Sequence, residues 1–452
     1  MGNIAGKITI LMSVLFLLVS CQKEDKFPKN ILIFISDGCG YYQVDAASLY
    51  ENGERGIQIY EQFPVKLAMS TYPANGHGYE PDKAWKSFDY VLQKPTDSAA
   101  SATALSTGVL TNNGALGVDT TGVILPNIME MAEKRMKSTG VVSSVMFSHA
   151  TPSGFLVHNS SRHNYRQIAR DMITRSKADV IMGCGHPLFD KTGQATEDTS
   201  FKYVGSESLW DSLKAGTVGN EADGHADLET WELIEDYDSF IELADGPAPE
   251  RVIGVPKIRS TLQFDRPGDK KADAFDVPFI ENIPTLGEMT ETALNVLDNN
   301  ERGFVIMVEG GAVDWAGHAN SSGRLIEEEM DFNRAVEVGV NWVEENSSWE
   351  ETLVIVTGDH ETGYLTGPGS NPENKEGMDY NEIWKPLQNN GMGEMPGMEW
   401  HSGGHTNSLI PFYAKGFGSE LFIEKADEED PVRGNFLDNA EVGKVLTGLY
   451  SR

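Results

Sequence analysis

Four short runs of β-branched and aliphatic residues punctuate the chain: Ile31–Ile35 (ILIFI), Val141–Val145, Phe304–Val308 (FVIMV) and Leu353–Val356 (LVIV). None alternates with polar residues, so each predicts a strand covered on both faces, as in parallel sheets. Between them the period changes to that of helices. Residues 126–137 read as a helix, opened by Pro126 in its first turn and closed before Gly140. Leu286, Met289, Ala293, Leu294 and Leu297 share one helical face, and Leu325, Phe332, Ala335, Val336, Val340 and Val343 share another. Strands alternating with helices of this length predict right-handed βαβ units. The expected fold is α/β, with a doubly wound, mostly parallel central sheet flanked by helices.

Polar residues at the ends of these runs change the picture from architecture to chemistry. Asp37-Gly38 follows the first run, Glu309-Gly310 the third and Asp359-His360 the fourth, while His149 and Thr151 lie just beyond the second. In open α/β sheets, ligands collect outside the carboxyl ends of the strands. A single acid there is ordinarily a turn residue or helix cap. Three acids, two histidines and a hydroxyl at successive strand ends point to a cation site. Asp314 and His318, four apart in DWAGH, share one face of a helical turn, a spacing that suits zinc. His405, in GGHTNS, lies in a loose segment able to bring a distant ligand inward.

The stretch DSAASATALSTG (97–108) has one large side chain, Leu105. A helix of Ala, Ser and Thr packs closely, and its start exposes unpaired N–H groups. Ser98 at such a start is placed to receive an anion and attack it, although Asp97 or Ser98 would serve equally as a plain N-cap.

Composition narrows the remaining choices. With 40% hydrophobic and 9% aromatic residues the chain is globular, and 3 cysteines are too few for a disulfide scaffold. Cys39 and Cys184 are expected to be small buried residues. The balance of 36 basic against 68 acidic side chains, a formal charge of −32, excludes nucleic acid and anionic membrane surfaces as partners. Taken alone it would also argue against a phosphorylated substrate. The apolar stretch 8–20 behind Lys7 has the length of a signal-peptide core and ends in Leu18-Val19-Ser20-Cys21, which resembles a lipobox. This predicts a signal peptide over 1–20, a lipid anchor on Cys21, a polar tether over 21–29, and an exported lipoprotein that is periplasmic or at the cell surface. No later segment has the length and apolarity to span a bilayer.

The segment 97–119 closely resembles the nucleophile region of the alkaline phosphatase family. ISDGCG (35–40), ATPSG (150–154), NSSRHNY (159–165), VEGGAVDWAGHAN (308–320), TGDHETG (357–363) and GGHT (403–406) resemble further motifs of that family, in family order. The resemblance runs from about residue 30 to 415 and implies one domain over 30–452, with insertions at about 190–284 and 367–397. The second insertion would either cover the site or remain a plain surface excursion. The resemblance implies hydrolysis of small phosphomonoesters through a phosphoserine at Ser98, with Arg162 gripping two phosphate oxygens. It implies two zinc ions, one on Asp314, His318 and His405, the other on Asp37, Asp359 and His360. It implies one magnesium on Asp37, Thr151 and Glu309, and it leaves a homodimer open.

Three residues are expected around this set without being carried over as ligands. Asp97 would orient Arg162 or the helix start. His149 stands where the best-known bacterial member has aspartate, and Trp315 where other members place a lysine or histidine near phosphate. The other histidines, at 77, 158, 163, 186, 225 and 401, are expected at the surface or in packing. The rival readings are a phosphodiesterase of the same superfamily and a non-catalytic phosphate-binding lipoprotein. A sulfatase is excluded, since DSAASAT lacks the Cys/Ser-x-Pro-x-Arg nucleophile motif. Three divalent ions would outweigh the four site carboxylates, so the global charge would not set the sign of the pocket.

Overall fold

The four apolar runs form the middle of one large sheet in a computed structural model that describes residues 27–219, 230–371 and 380–451. The proposed leader, Cys21 and most of the tether lie outside these residues, as do His225 and parts of both proposed insertions. In chain order the strands are β1 (Asn30–Ser36), β2 (Val65–Ser70), β3 (Ser138–Met146), β4 (Val180–Cys184), β5 (Glu232–Ile234), β6 (Val252–Gly254), β7 (Phe304–Gly310) and β8 (Thr352–Gly358). There follow β9 (Glu361–Thr362), β10 (Leu365–Thr366), β11 (Glu399–Trp400), β12 (His405–Thr406), β13 (Ile410–Gly416), β14 (Glu428–Asp430) and β15 (Gly434–Asp438).

Eleven of them form the main sheet, in the order β14-β15-β2-β13-β8-β1-β7-β3-β4-β6-β5. β13 runs antiparallel to β8 and β2, and β14 antiparallel to β15, while the other pairings are parallel. The segment 190–284 therefore contributes the edge strand β5 and its neighbour β6, in addition to surface turns.

Period-2 geometry explains why β1 has no polar face. Leu32 and Phe34 point into one core, with the helix Ser322–Asn346, and Ile31, Ile33 and Ile35 into the other, with Ala99 and Ala102 of the helix Ser98–Thr107. The expected small-residue packing is present: a side chain at Gly154 would come within 2.7 Å of the Ala102 Cβ. Cys39 and Cys184 are buried free thiols. No helix among the described residues is long and apolar enough to cross a membrane.

One predicted helix is shorter than expected. It spans Ile128–Glu133, because Asn127 rather than Pro126 starts it: the Asn127 side chain accepts from the Glu130 N–H at 2.9 Å and the Glu130 carboxylate accepts from the Asn127 N–H at 3.2 Å. It ends early in a turn that holds Met136 at φ +59°.

Candidate metal centre and nucleophile

Register alone brings the acids together. Ser36 pairs with Gly358 and with Gly310 in the two strands flanking β1, so Asp37 and Asp359 leave adjacent strands at the same level, one step from Glu309. Adjacent strands lie about 4.8 Å apart, within reach of a shared cation. Gly38, at φ +75°, turns the chain under the helix Ala312–His318, and a side chain there would collide with the Asp314 Cα at 2.7 Å. Its N–H donates to Asp359 Oδ1 at 3.0 Å.

Three groups of ligand atoms result, each with all atoms within 4.8 Å of one another: Asp314, His318 and His405; Asp37, Asp359 and His360; Asp37, His149 and Glu309. The first two reproduce the sets expected for the two zincs. The third brings in His149, which the sequence places around the ligand set and not among the ligands. Thr151, the other residue expected there, is the second residue of the helix Ala150–Leu156. Of the histidines without motif support, those in the described residues lie outside the three groups. His158 bridges Gly117 and Glu130, His186 meets Glu235, and His401 meets Thr366.

Hydrogen bonding fixes how the rings point. His318 Nδ1 donates to the Gly403 carbonyl at 2.7 Å and His405 Nδ1 to the Thr96 carbonyl at 2.8 Å. A carbonyl only accepts, so in both rings Nδ1 carries the proton and Nε2 faces the cluster. Thr362 donates to Asp314 Oδ1 at 2.6 Å and lies 3.3 Å from His360 Nδ1, which leaves His360 Nε2 facing inward as well.

These distances test whether the residues fit zinc. Tetrahedral bonds of about 2.0–2.1 Å put neighbouring ligand atoms about 3.3 Å apart. In the first group His318 Nε2 lies 3.1 Å from His405 Nε2, and Asp314 Oδ1 lies 3.4 and 3.5 Å from those two nitrogens. In the second, His360 Nε2 lies 3.4 Å from Asp359 Oδ2 and 3.6 Å from Asp37 Oδ1. Both sets fit.

Buried polar atoms give the same answer. Both Asp37 carboxylate oxygens, Asp359 Oδ2, Glu309 Oε1 and the Thr151 hydroxyl are buried without a hydrogen-bond partner, whereas most buried polar atoms have one. Burial and the nearby Asp359, Asp314 and Glu309 push Asp37 well above the usual carboxylate range. Burial, then Asp314 and Glu309, push Asp359 up to about 8 against the lowering effect of the Gly38 N–H. Burial also raises Glu309 and holds His360 and His149 well below the usual imidazole range. Carboxylates crowded this closely stay ionised only with cations among them. The oxygen-rich third group, with the Thr151 hydroxyl, suits magnesium.

Ser98 begins its helix, which Asp97 caps by accepting from the Ala100 N–H at 2.9 Å. The Ser98 hydroxyl lies 3.4 Å from His360 Nε2, against the second group. As a simple serine–histidine pair this would be poor, because the same nitrogen also faces two carboxylates. Arg162 is held by Asp97, Nη1 to Oδ2 at 3.1 Å, and reaches to 3.5 Å from His149 Nε2. Asp97 therefore touches both the helix start and Arg162. Ser98, His149, Arg162, Asp314, Trp315, His318 and His405 line an open cavity of ≈ 560 Å³.

Sequence reading missed Phe264, Asp265 and Lys270, which line the same cavity. It also missed Thr362, and Ser143, whose hydroxyl donates to Glu309. Thr362 sits inside TGDHETG and was within reach of the motif. The other four carry no local signal. Residues 367–371 and 380–397 supply none of the cavity lining; there Trp384 meets Trp85 edge-on and stacks with Phe88.

A doubly wound sheet with three carboxylate–imidazole groups beside a helix-start serine defines the class: an α/β protein with candidate cation sites at its strand ends. The alkaline phosphatase family model matches residues 28–388. The chain is 32% identical over 356 residues to the alkaline phosphatase of Escherichia coli, covering 75% of this chain and 71% of that protein. It is 32% identical over 358 residues to alkaline phosphatase 4 of Bacillus subtilis, covering 77% of this chain and 64% of the other. Among solved structures, the alkaline phosphatase of the Antarctic bacterium TAB5 superposes with a TM-score of 0.63 at 26% identity, covering 94% of this chain and 98% of that one. A cold-active Shewanella alkaline phosphatase gives 0.64 at 26% identity, covering 94% and 100%. The chain belongs to the alkaline phosphatase family of enzymes.

Proposed function

We propose that this protein hydrolyses phosphomonoesters through a phosphoserine on Ser98. The observation that carries the reading is the Ser98 hydroxyl at a helix start, 3.4 Å from His360 Nε2 and in one cavity with Arg162. Arg162, a planar fork held by Asp97, grips two non-bridging oxygens of the ester and turns its phosphorus toward Ser98. The helix start adds unpaired N–H groups where negative charge accumulates. The Ser98 oxygen forms a bond to phosphorus as the ester oxygen leaves with its electron pair. Water then cleaves the Ser98–phosphorus bond and restores the hydroxyl.

Asp314, His318 and His405 would hold one zinc, Asp37, Asp359 and His360 the other, and Asp37, Thr151 and Glu309, with His149 alongside, a magnesium. Bound there, the ions supply Lewis acidity that lowers the pKa of the serine hydroxyl and of water and stabilises the leaving oxygen. His318 and His405 keep their Nε2 atoms aimed inward through the carbonyls of Gly403 and Thr96.

Metal analysis of the purified protein, with turnover of p-nitrophenyl phosphate before and after chelation, tests the reading. Two zincs and one magnesium per chain, with activity lost on chelation, are expected; full activity in metal-free protein would sink the mechanism. Faster turnover of the bis-ester than of the monoester would identify a phosphodiesterase instead. The lipid anchor is a separate part of the proposal. A Cys21→Ser variant should appear in the soluble fraction, and one that stays with membranes would argue against lipidation.

A further inference from the structure

Part of the cavity wall is built by Phe264, Asp265 and Lys270 of the loop after β6, within a stretch that no family motif covers. Lys270 donates to Asp265 at 2.7 Å and lies 3.9 Å from the centre of the Phe264 ring. The loop is fastened to the end of the helix that carries Asp314 and His318. The Lys271 ammonium donates to the carbonyls of Ala319 and Asn320 at 2.6 and 2.7 Å, and the Ser321 hydroxyl to that of Lys270. Cations at a helix C-terminus are stabilised there, so the wall is anchored.

Ring contacts order the wall from inside to outside. Arg162 meets His149, His149 lies 6.0 Å from Trp315, Trp315 lies 6.4 Å from Phe264, and Lys270 covers Phe264. Two aromatic side chains thus separate Lys270 from the phosphate-gripping end. Its side chain keeps 38% of its surface exposed, against 13% for Arg162. One of its three N–H donors is used on Asp265, and the others remain for a ligand.

We propose that Lys270 determines substrate specificity: its ammonium pairs with an anionic group on the leaving alcohol, a carboxylate or a second phosphate. The site thereby favours phosphomonoesters that carry a second negative charge beyond a planar or apolar spacer, which lies along the touching rings of Trp315 and Phe264. This rests on the phosphomonoesterase reading and adds the substrate class to it.

The test compares kcat/KM for 4-carboxyphenyl phosphate and phenyl phosphate in the metal-loaded wild type, K270Q and K270R. Taking the ratio of the two esters, and then comparing proteins, cancels their intrinsic reactivities. K270Q should lower the ratio about fivefold, as for one partly exposed ion pair, and K270R should keep it within about twofold of wild type. Raising NaCl to about 0.5 M should bring the wild-type ratio toward that of K270Q. An unchanged ratio in K270Q overturns the proposal, as does an equal loss on both esters, which would put Lys270 on the transferred phosphoryl group. Wild-type protein that turned over neither ester would overturn the phosphatase reading and this proposal with it.

Discussion

Asp97 offers a perturbation in which two tasks of one carboxylate can be separated. Its Oδ1 accepts from the Ala100 N–H at 2.9 Å as the N-cap of the Ser98 helix. Its Oδ2 accepts from the Gly114 N–H at 3.0 Å and from Arg162 Nη1 at 3.1 Å. In D97A the cap costs about 1 kcal/mol. The unpaired Gly114 N–H costs about 1 kcal/mol more, and the half-buried guanidinium that has lost its partner a further ~1 kcal/mol. The sum is about 3 kcal/mol. In D97N the amide oxygen still caps the helix, but the amide nitrogen turns a donor toward two donors, so only the second and third terms are lost. D97A should therefore be about 1 kcal/mol less stable than D97N in urea unfolding of the metal-saturated protein. Both variants release Arg162, so the inhibition constant of inorganic phosphate should rise about tenfold in each, more than kcat falls. Equal stability of the two variants would refute the cap. Unchanged phosphate inhibition in both would refute the orientation of Arg162.

Three further outcomes follow from named contacts. S98A should lose at least about a thousandfold in kcat while zinc and magnesium content stays at the wild-type level, since Ser98 is the proposed nucleophile and belongs to none of the three ligand groups; coupled loss of metal would contradict that. Trp315→Lys adds an ammonium to the cavity wall beside His149 and should tighten phosphate inhibition several-fold, measured against p-nitrophenyl phosphate, and a looser constant would count against a phosphate-facing position. Glu133, pushed up to about 8 by burial, is an acid with a raised folded pKa: its penalty is absent below about pH 4.5 and grows as pH rises through about 8. E133Q should therefore gain on wild type by about 4 kcal/mol in unfolding free energy between pH 5 and pH 9, and a gap that stays constant with pH would refute the assignment.

The central strands were legible because burial on both faces erases the alternation that a half-exposed strand would show, leaving ILIFI, FVIMV and LVIV as continuous apolar runs. Asp37, Glu309 and Asp359 were legible because each sits within a step of a strand end, where adjacent parallel strands must bring them side by side, and Asp314 because it shares a helical turn with His318. Helix limits were less so: Pro126 carries a first-turn signal, but Asn127 has the side-chain oxygen that caps a helix, and the reciprocal bond with Glu130 decides the start. The antiparallel entry of β13 between β8 and β2 had no local signature, since antiparallel order is set by long-range pairing. Phe264 and Lys270 were unreadable for the same reason. Their place depends on Lys271 reaching the carbonyls of Ala319 and Asn320, 48 and 49 residues away.

The two cations in the cavity wall share one design, and it bears on the −32 net charge. Arg162 is tied to Asp97 and Lys270 to Asp265, so at long range each pair is neutral and adds nothing to attract an anion. At contact distance each still presents unused N–H donors in a fixed direction. On the proposed function, discrimination falls to geometry and not to field: a phosphate ester would arrive through an acidic envelope and be recognised only where its oxygens meet held donors. An unpaired arginine or lysine would raise local attraction, but it would also swing among the carboxylates of Asp37, Asp314 and Asp359 and compete with the divalent ions for them. Pairing each cation with its own aspartate keeps both off the metal ligands.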